Sequence, residues 1–298
     1  MSPGSGGPPE AGSAPGPSSL EGRNILVTGA AGGLGLATVD RLLARGARVV
    51  LSARSEERAQ GALDDLRTRY PDAELSFLPL DVADLRSVVR AADAMLERGE
   101  PLDALVNNAG IAGFRGLSPQ GFEITFATNH LGPYLLTERL LPLLRAAPAG
   151  RIVNVASTAH FHVRKIEWDG FDTPIVMPLA RFWRYSLTKL MNILHAQELA
   201  RRLADTQVTT YAVHPGVVSS EIWRKLPPLI RPLAQRFMTT IDEGVKTQVF
   251  CATDAVVEGP SGRYYVACRE SPTSPLARDP ALAARLFEES DAMIRRAL

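Results

Sequence analysis

The stretch Asn24-Ile25-Leu26-Val27-Thr28-Gly29-Ala30-Ala31-Gly32-Gly33-Leu34-Gly35 decides the fold. It opens as a short apolar run without alternation, the pattern of a strand buried on both faces of a parallel sheet. A glycine-rich turn follows. Leu34, Leu36, Val39, Leu42 and Leu43 then recur at helical spacing until Gly46, so the turn joins a buried strand to a helix. Glycines at such a joint let the backbone turn tightly and come close to a pyrophosphate, and the helix N-terminus adds N–H groups and a positive dipole end. A glycine-rich turn alone is equally an ordinary loop. Its place after a buried strand at the head of a βαβ unit is what marks a dinucleotide site.

Outward from this point the alternation continues. Strands are predicted at Arg48 to Ser52, Leu75 to Leu80, Ala104 to Asn107, Arg151 to Ala156 and Val208 to His214, with Tyr264 to Ala267 as a last candidate. Helices are predicted over Glu56 to Tyr70 (closed by Pro71), Leu85 to Arg98 and Ala180 to Ala204. Another runs from about Gly121 to Leu144, broken or bent near Gly132 and Pro133. This pattern predicts an α/β fold with a single doubly wound parallel sheet of Rossmann type, helices covering both faces. No repeat or linker interrupts residues 21–298, which read as one domain. Two stretches leave the alternation, Thr158 to Leu179 and the proline-containing Val217 to Met238. Long insertions at the C-terminal ends of strands carry function, so these are the candidate substrate lid.

Hydrophobic residues make up 45% of the chain and charged residues 22%, a soluble globular composition. The formal net charge of +1 comes without a block of Lys or Arg, which argues against a nucleic-acid partner. Met1 to Leu20 is dominated by Pro, Gly, Ser and Ala and reads as a disordered tail. Neither a signal peptide nor an integral membrane segment is indicated, so membrane association is peripheral at most. Cys251 and Cys268 are too few for a disulfide framework; they fit buried positions and a reducing, cytoplasmic setting.

At the end of the second strand a carboxylate would bind the ribose 2′-hydroxyl of NAD, whereas an arginine accommodates the 2′-phosphate of NADP. Here the residues are Ser52-Ala53-Arg54-Ser55. Arg54 can present its planar fork to a phosphate, so NADP(H) is favoured over NAD(H). The plain alternative is a solvated Arg54 paired with Glu56 or Glu57. In Tyr185-Ser186-Leu187-Thr188-Lys189, Tyr185 and Lys189 stand four apart on one helix face. A tyrosine titrates near 10, too high for acid–base work near neutrality, and a neighbouring ammonium favours its phenolate. By itself this spacing is common.

Taken together, the Thr28-to-Gly35 turn, Asp81, Asn107-Asn108-Ala109-Gly110, Asn129, Ser157, Tyr185 with Lys189, and Pro215-Gly216 resemble the short-chain dehydrogenase/reductase family. The resemblance covers residues 21 to about 270 in the family's order. It is strongest to the retinol-dehydrogenase-like reductases, through Leu51-Ser52-Ala53-Arg54, Asn129-His130-Leu131-Gly132-Pro133, and His214-Pro215-Gly216-Val217-Val218-Ser219-Ser220. The long interval from Ser157 to Tyr185 and Ser261-Gly262-Arg263-Tyr264-Tyr265 are similar too. The absence of an apolar helix at the start departs from many relatives, and Ser219 stands where many have Thr.

The resemblance implies the following roles. Tyr185 exchanges a proton with the carbonyl or alcohol oxygen, and Ser157 holds that oxygen by a hydrogen bond. Lys189 binds the nicotinamide ribose and depresses the pKa of Tyr185, while Asn129 holds a water that relays protons to Lys189. Thr28, Gly29, Gly33, Leu34 and Gly35 form the phosphate turn. Asp81, with Val82 beside it, meets the adenine; Asn108, Ala109 and Gly110 line the cofactor cleft; and Pro215, Gly216 and Ser219 pass near the carboxamide. Read singly, Asn129 is a helix-bending polar residue, Ser157 a strand-end cap, and Asp81 a cap for the helix near Leu85. His160 and His162 lack a third ligand, with only Glu167, Asp169 and Asp172 nearby in a loop. They read as loop or pocket-lining residues, and no metal is called for.

Phe114, Phe161, Trp168, Phe171, Phe182, Trp183 and Trp223 flank the site in the chain, which suits a small lipophilic alcohol, aldehyde or ketone. Retinal-like, polyketide-, steroid- and tetrapyrrole-type substrates all stay open, because substrate does not follow from fold. A catalytically silent dinucleotide sensor is the alternative from another class. A homo-oligomer paired through the helices that hold Asn129 and Tyr185 is implied by the resemblance, and the sequence leaves the oligomeric state open.

Overall fold

The computed structural model describes residues 19–216, 240–257 and 261–298. The tail as far as residue 18 and the candidate lid from Val217 to Met238, with Ser219 and Trp223 in it, lie outside the described residues. Leu20, which composition places at the end of the tail, is 4% exposed and packs with the core. Its N–H donates to the Arg45 carbonyl at 2.8 Å.

Among the described residues the strands are β1 (Asn24–Val27), β2 (Arg48–Ala53), β3 (Leu75–Pro79), β4 (Ala104–Asn107), β5 (Arg151–Val155), β6 (Thr209–His214), β7 (Arg263–Val266) and β8 (Arg269–Glu270). They form one sheet in the order β3-β2-β1-β4-β5-β6-β7-β8. β1 pairs in parallel with both β2 and β4, for example Ile25 with Val49 and with Ala104. The chain thus winds outward on one side of β1 and returns to build the other, which opens a crevice at the carboxyl ends of β1 and β4.

Side chains alternate across each strand, so the sheet feeds two cores. Ile25, Val27, Val49, Leu51, Val106 and Val153 meet α1 (Gly33–Leu43), α2 (Glu56–Arg69) and α6 (Ile241–Thr253) on one face. Leu26, Val50, Leu105, Ile152 and Ala212 meet α3 (Leu85–Arg98), α4 (Gly132–Ala146), α5 (Pro178–Arg202) and α7 (Pro280–Ala297) on the other. Burial on both faces explains why β1 and β4 each carry three consecutive apolar residues without alternation.

Three details differ from the sequence reading. The helix expected from about Gly121 starts at Ile124, where the buried Glu123 carboxylate accepts from the N–H groups of Thr125 (3.1 Å) and Phe126 (2.9 Å). Its irregularity is a π turn over Ala127–Leu131, and the helix then continues through Gly132 and Pro133 as α4. Gly132 serves close approach: a Cβ there would overlap the carbonyl oxygen of Val82. At the far edge β8 runs antiparallel to β7. Ala267 (φ 50°) and Cys268 (φ 58°) make the hairpin turn between them, a two-residue conformation ordinarily signalled by Asn-Gly, so composition conceals it.

The C-terminal helix α7 lies against both α4 and α5. The Phe287 ring centre is 5.0 Å from that of Tyr134 and 5.4 Å from that of His195, and the Tyr134 hydroxyl donates to Asp291 at 2.8 Å. These are the helices the resemblance offers for pairing two copies. No helix among the described residues is long and apolar enough to cross a membrane.

Candidate active site

At the end of β1, Thr28 is fully buried. Its hydroxyl accepts from the N–H groups of Asn108 (3.1 Å) and Ala109 (3.0 Å) and donates to the Val106 carbonyl (3.3 Å). The side chain of Thr28 therefore staples the β1 turn to the segment after β4. The Asn108 amide closes the same joint, donating to the Thr28 carbonyl at 2.8 Å. Gly29 adopts φ +65°, and a Cβ there would stand 2.9 Å from the Ala109 Cα; one on Gly35 would meet the Gly29 carbonyl at 2.5 Å. These glycines are required by close backbone approach.

Gly32 and Gly33 are different, since nothing lies within 4 Å of a Cβ built on either. The first turn of α1 has no side-chain cap and no acidic residue, so its N–H groups face this open cradle with the positive end of the helix. Donor set and space both fit the pyrophosphate of a dinucleotide. Beyond β2, Arg54 is exposed, and among the described residues it makes no ion pair or hydrogen bond, including to Glu56 or Glu57. Those two glutamates sit in the first turn of α2, capped by Ser55. Asp81 accepts from the Ala83 N–H at 3.0 Å. The cap of α3 is Asp84, accepting from Arg86 at 3.0 Å. The Val82 side chain packs into the core, and its carbonyl lies against Gly132.

Tyr185, Ser157, Lys189 and Asn129 meet at the carboxyl ends of β4 and β5. Ser157 follows β5 and caps the short 3-10 helix Thr158–His162, its Oγ accepting from the Ala159 N–H at 3.2 Å. The Ser157 side chain acts on the Tyr185 phenol from the end of β5. Burial pushes that phenol above its ordinary value, and the Ser157 side chain partly offsets the rise. Lys189, one helical turn on, is 4% exposed and donates to the Val155 carbonyl at 2.8 Å. Its Nζ stands 5.5 Å from the centre of the Tyr185 ring. Burial lowers the ammonium to about 8. The direction at Tyr185 is thus opposite to the lowering expected from Lys189, because desolvation of the phenol is its largest cause.

Asn129 sits in the π turn. Its Oδ1 accepts from the Ile111 N–H (2.8 Å), and its Nδ2 donates to the Ile111 carbonyl (2.9 Å) and to Thr188 Oγ1 (3.1 Å). The amide thereby ties the segment after β4 to the Tyr185 helix. A Cβ on Gly110 would lie 3.4 Å from Asn129 Oδ1 and 3.5 Å from Lys189 Nζ, so Gly110 closes the floor between them. Pro215 and Gly216 (φ +84°) follow β6. Thr188 escaped the sequence reading, as did Asn192, whose amide shares the Val155 carbonyl with Lys189 at 3.0 Å. Their helical spacing from Tyr185 was visible, but their partners come from other elements.

The insertion before Tyr185 is anchored. Arg184 donates to the Gly170 carbonyl at 2.9 Å, and Arg181 to those of Gly113 (2.8 Å) and Val176 (2.9 Å). Two expected pocket residues go elsewhere: Phe171 is buried against Phe126 with ring centres 4.1 Å apart, and Trp168 lies under Arg285 of α7. Phe114, Phe161, Phe182 and Trp183 are exposed near the insertion. No metal-ligating cluster occurs among the described residues. A polar depression lined by Asn24, Arg48, Glu74 and Glu100 lies at the opposite, amino edge of the sheet, away from this chemistry.

A doubly wound sheet with a glycine cradle at its switch point and a Tyr–Lys–Ser cluster beside it defines a dinucleotide-dependent enzyme class. The comparisons with known proteins name that class. The short chain dehydrogenase family matches residues 23–168. Dehydrogenase/reductase SDR family member 13 of Homo sapiens is 42% identical over 276 residues, covering 91% of this chain and 73% of that protein. Retinol dehydrogenase 14 of Homo sapiens is 38% identical over 298 residues, covering 93% and 88%. The solved structure of NADPH-bound carbonyl reductase from chicken fatty liver superposes with a TM-score of 0.64 at 27% identity, covering 82% of this chain and 96% of that one. The chain belongs to the short-chain dehydrogenase/reductase family, oxidoreductases that use a nicotinamide dinucleotide.

Proposed function

We propose that this protein interconverts a lipophilic alcohol and its aldehyde or ketone with NADP(H), and that Tyr185 carries the proton. The observation that carries this reading is the buried Lys189 ammonium, held on the Val155 carbonyl 5.5 Å from the Tyr185 ring, with Ser157 at the end of the same strand. With its pyrophosphate in the glycine cradle, a nicotinamide dinucleotide would supply or accept the hydride. A phenol held above its ordinary pKa by burial is protonated at neutral pH, ready to give its proton to a carbonyl oxygen held by Ser157. In the reverse direction the ammonium at 5.5 Å favours the phenolate that accepts it. Asn129 fixes the backbone at Ile111 and the helix at Thr188, which keeps Lys189 and Tyr185 in register.

Support for NADP(H) comes from Arg54, exposed after β2 where no carboxylate stands. Support for the substrate class comes from the exposed aromatics near the insertion and from relatives named retinol dehydrogenases. The reading places one cofactor-binding domain over 21–298. It keeps the chain in the cytoplasm, which the free thiols of Cys251 and Cys268 support.

The test is NADPH and NADH consumption by the full chain with retinal and linear aldehydes. Turnover with NADPH is expected, and Tyr185→Phe should lower kcat by at least about 100-fold with NADPH affinity kept. NADPH binding without consumption of any carbonyl would replace this proposal with the silent dinucleotide sensor.

A further inference from the structure

His160 has no part in the chemistry derived above, yet it is fully buried three residues after Ser157. Both ring nitrogens are engaged. Nδ1 lies 2.7 Å from the Ser157 carbonyl oxygen, which can only accept, so Nδ1 carries the proton. Nε2 lies 3.2 Å from the Ser274 N–H, which can only donate, so Nε2 is the bare acceptor. The two neighbours thus dictate one neutral tautomer. Burial, which lowers the pKa of His160, acts in the same direction. The ring is held edge-on to Tyr264, with centres 5.3 Å apart, and lies over Phe161 at 4.1 Å.

The Ser157 carbonyl also accepts from the His160 backbone N–H at 3.1 Å. One residue therefore clamps the peptide after the serine through both its ring and its backbone N–H, and its ring ties that peptide to a segment 114 residues away. Ser274 is itself buried, and its segment turns through Leu276–Arg278 into α7. Rotation of the Ser157 peptide would carry its Oγ away from the Tyr185 phenol.

We infer that His160 is a positioning residue: as the Nδ1–H tautomer, it bridges the Ser274 N–H to the Ser157 carbonyl and thereby sets the Ser157 hydroxyl against Tyr185. This rests on the reading of Ser157 and Tyr185 as the reacting pair.

Steady-state kinetics of the full chain with NADPH and retinal, or a linear aldehyde if that turns over faster, provide the test. His160→Phe keeps a ring but loses both hydrogen bonds; kcat should fall by about 10- to 100-fold, with NADPH affinity and KM within about threefold. His160→Asn restores a donor near the Nδ1 position and should recover most of kcat, although both variants lose thermal stability. In a Ser157→Ala background, His160→Phe should add less than about a twofold loss, because the two act through one contact. An undiminished effect in that background, no effect on kcat, or no recovery in His160→Asn overturns the inference. Should the variants fail to fold, the ring ¹⁵N shifts of His160 in the unaltered chain decide: an Nδ1–H tautomer supports it, and an Nε2–H tautomer or imidazolium at neutral pH overturns it. Wild-type turnover by both Tyr185→Phe and Ser157→Ala would instead defeat the proposed function, and this inference with it.

Discussion

The Lys189 ammonium donates to the Val155 carbonyl at 2.8 Å from a site only 4% exposed. A strand end thus holds a charge that burial drives from its ordinary 10.5 to about 8. Between pH 8 and 10.5 the unfolded chain binds a proton that the folded chain lacks, so this group makes stability rise with pH through that window. Below pH 8 its destabilisation is fully present. Lys189→Met should therefore abolish turnover yet stabilise the fold at pH 7 by on the order of 2 kcal/mol. In urea titrations the gap between variant and wild type should close toward pH 10. A variant less stable than wild type at pH 7 contradicts this account.

Arg54 stands exposed beyond β2 without an ion pair to Glu56 or Glu57. Arg54→Asp should raise the KM for NADPH by about 10- to 100-fold, the worth of a charge-assisted phosphate contact. KM for NADH should fall or stay level. Unchanged cofactor preference would remove Arg54 from the phosphate site.

The two kinds of glycine in the turn should respond differently. Gly33→Ala meets only the strain of φ +55° with open space around the methyl, so the chain should fold with a loss of about 1–2 kcal/mol. NADPH affinity should nevertheless drop about tenfold or more, since the methyl stands where the pyrophosphate would approach. Gly35→Ala presses on the Gly29 carbonyl and the Asn108 amide at 2.5 and 2.6 Å and should cost about 1–3 kcal/mol of overpacking as well as affinity. Isothermal titration and denaturant melts separate the two; equal NADPH affinity in Gly33→Ala and wild type would contradict the cradle.

Phe287 ties α7 to the body of the fold through Tyr134, His195 and the Arg202 guanidinium, which lies 4.2 Å from its ring centre. Phe287→Ala should destabilise by about 3–5 kcal/mol, read as a shifted denaturation midpoint. A loss below 1 kcal/mol would show that α7 is only loosely attached.

The parallel strands, the helices α1 to α5 and the glycine turn were legible in the sequence, because burial writes apolar runs and helical spacing locally; α6 and α7 were not among the predicted helices. Tyr185 and Lys189 were legible as a pair for the same reason. β8 was not, since its turn is built from Ala267 and Cys268 in a conformation their identities do not advertise. Nor was the division of the aromatics near the insertion, where Phe171 joins the core while Phe182 and Trp183 stay exposed.

By itself, then, the sequence determined the strand–helix order as far as β6 and the glycine turn, which depend on periodicity and short-range spacing, while the family resemblance singled out the side chains proposed to react. Only the tertiary structure decided how those side chains are held. Thr28 closes on Asn108 and Ala109, Asn129 reaches Ile111 and Thr188, and His160 joins Ser157 to Ser274. A buried polar atom must find a partner wherever the fold brings one, and the Ser274 N–H reaches His160 across 114 residues of chain.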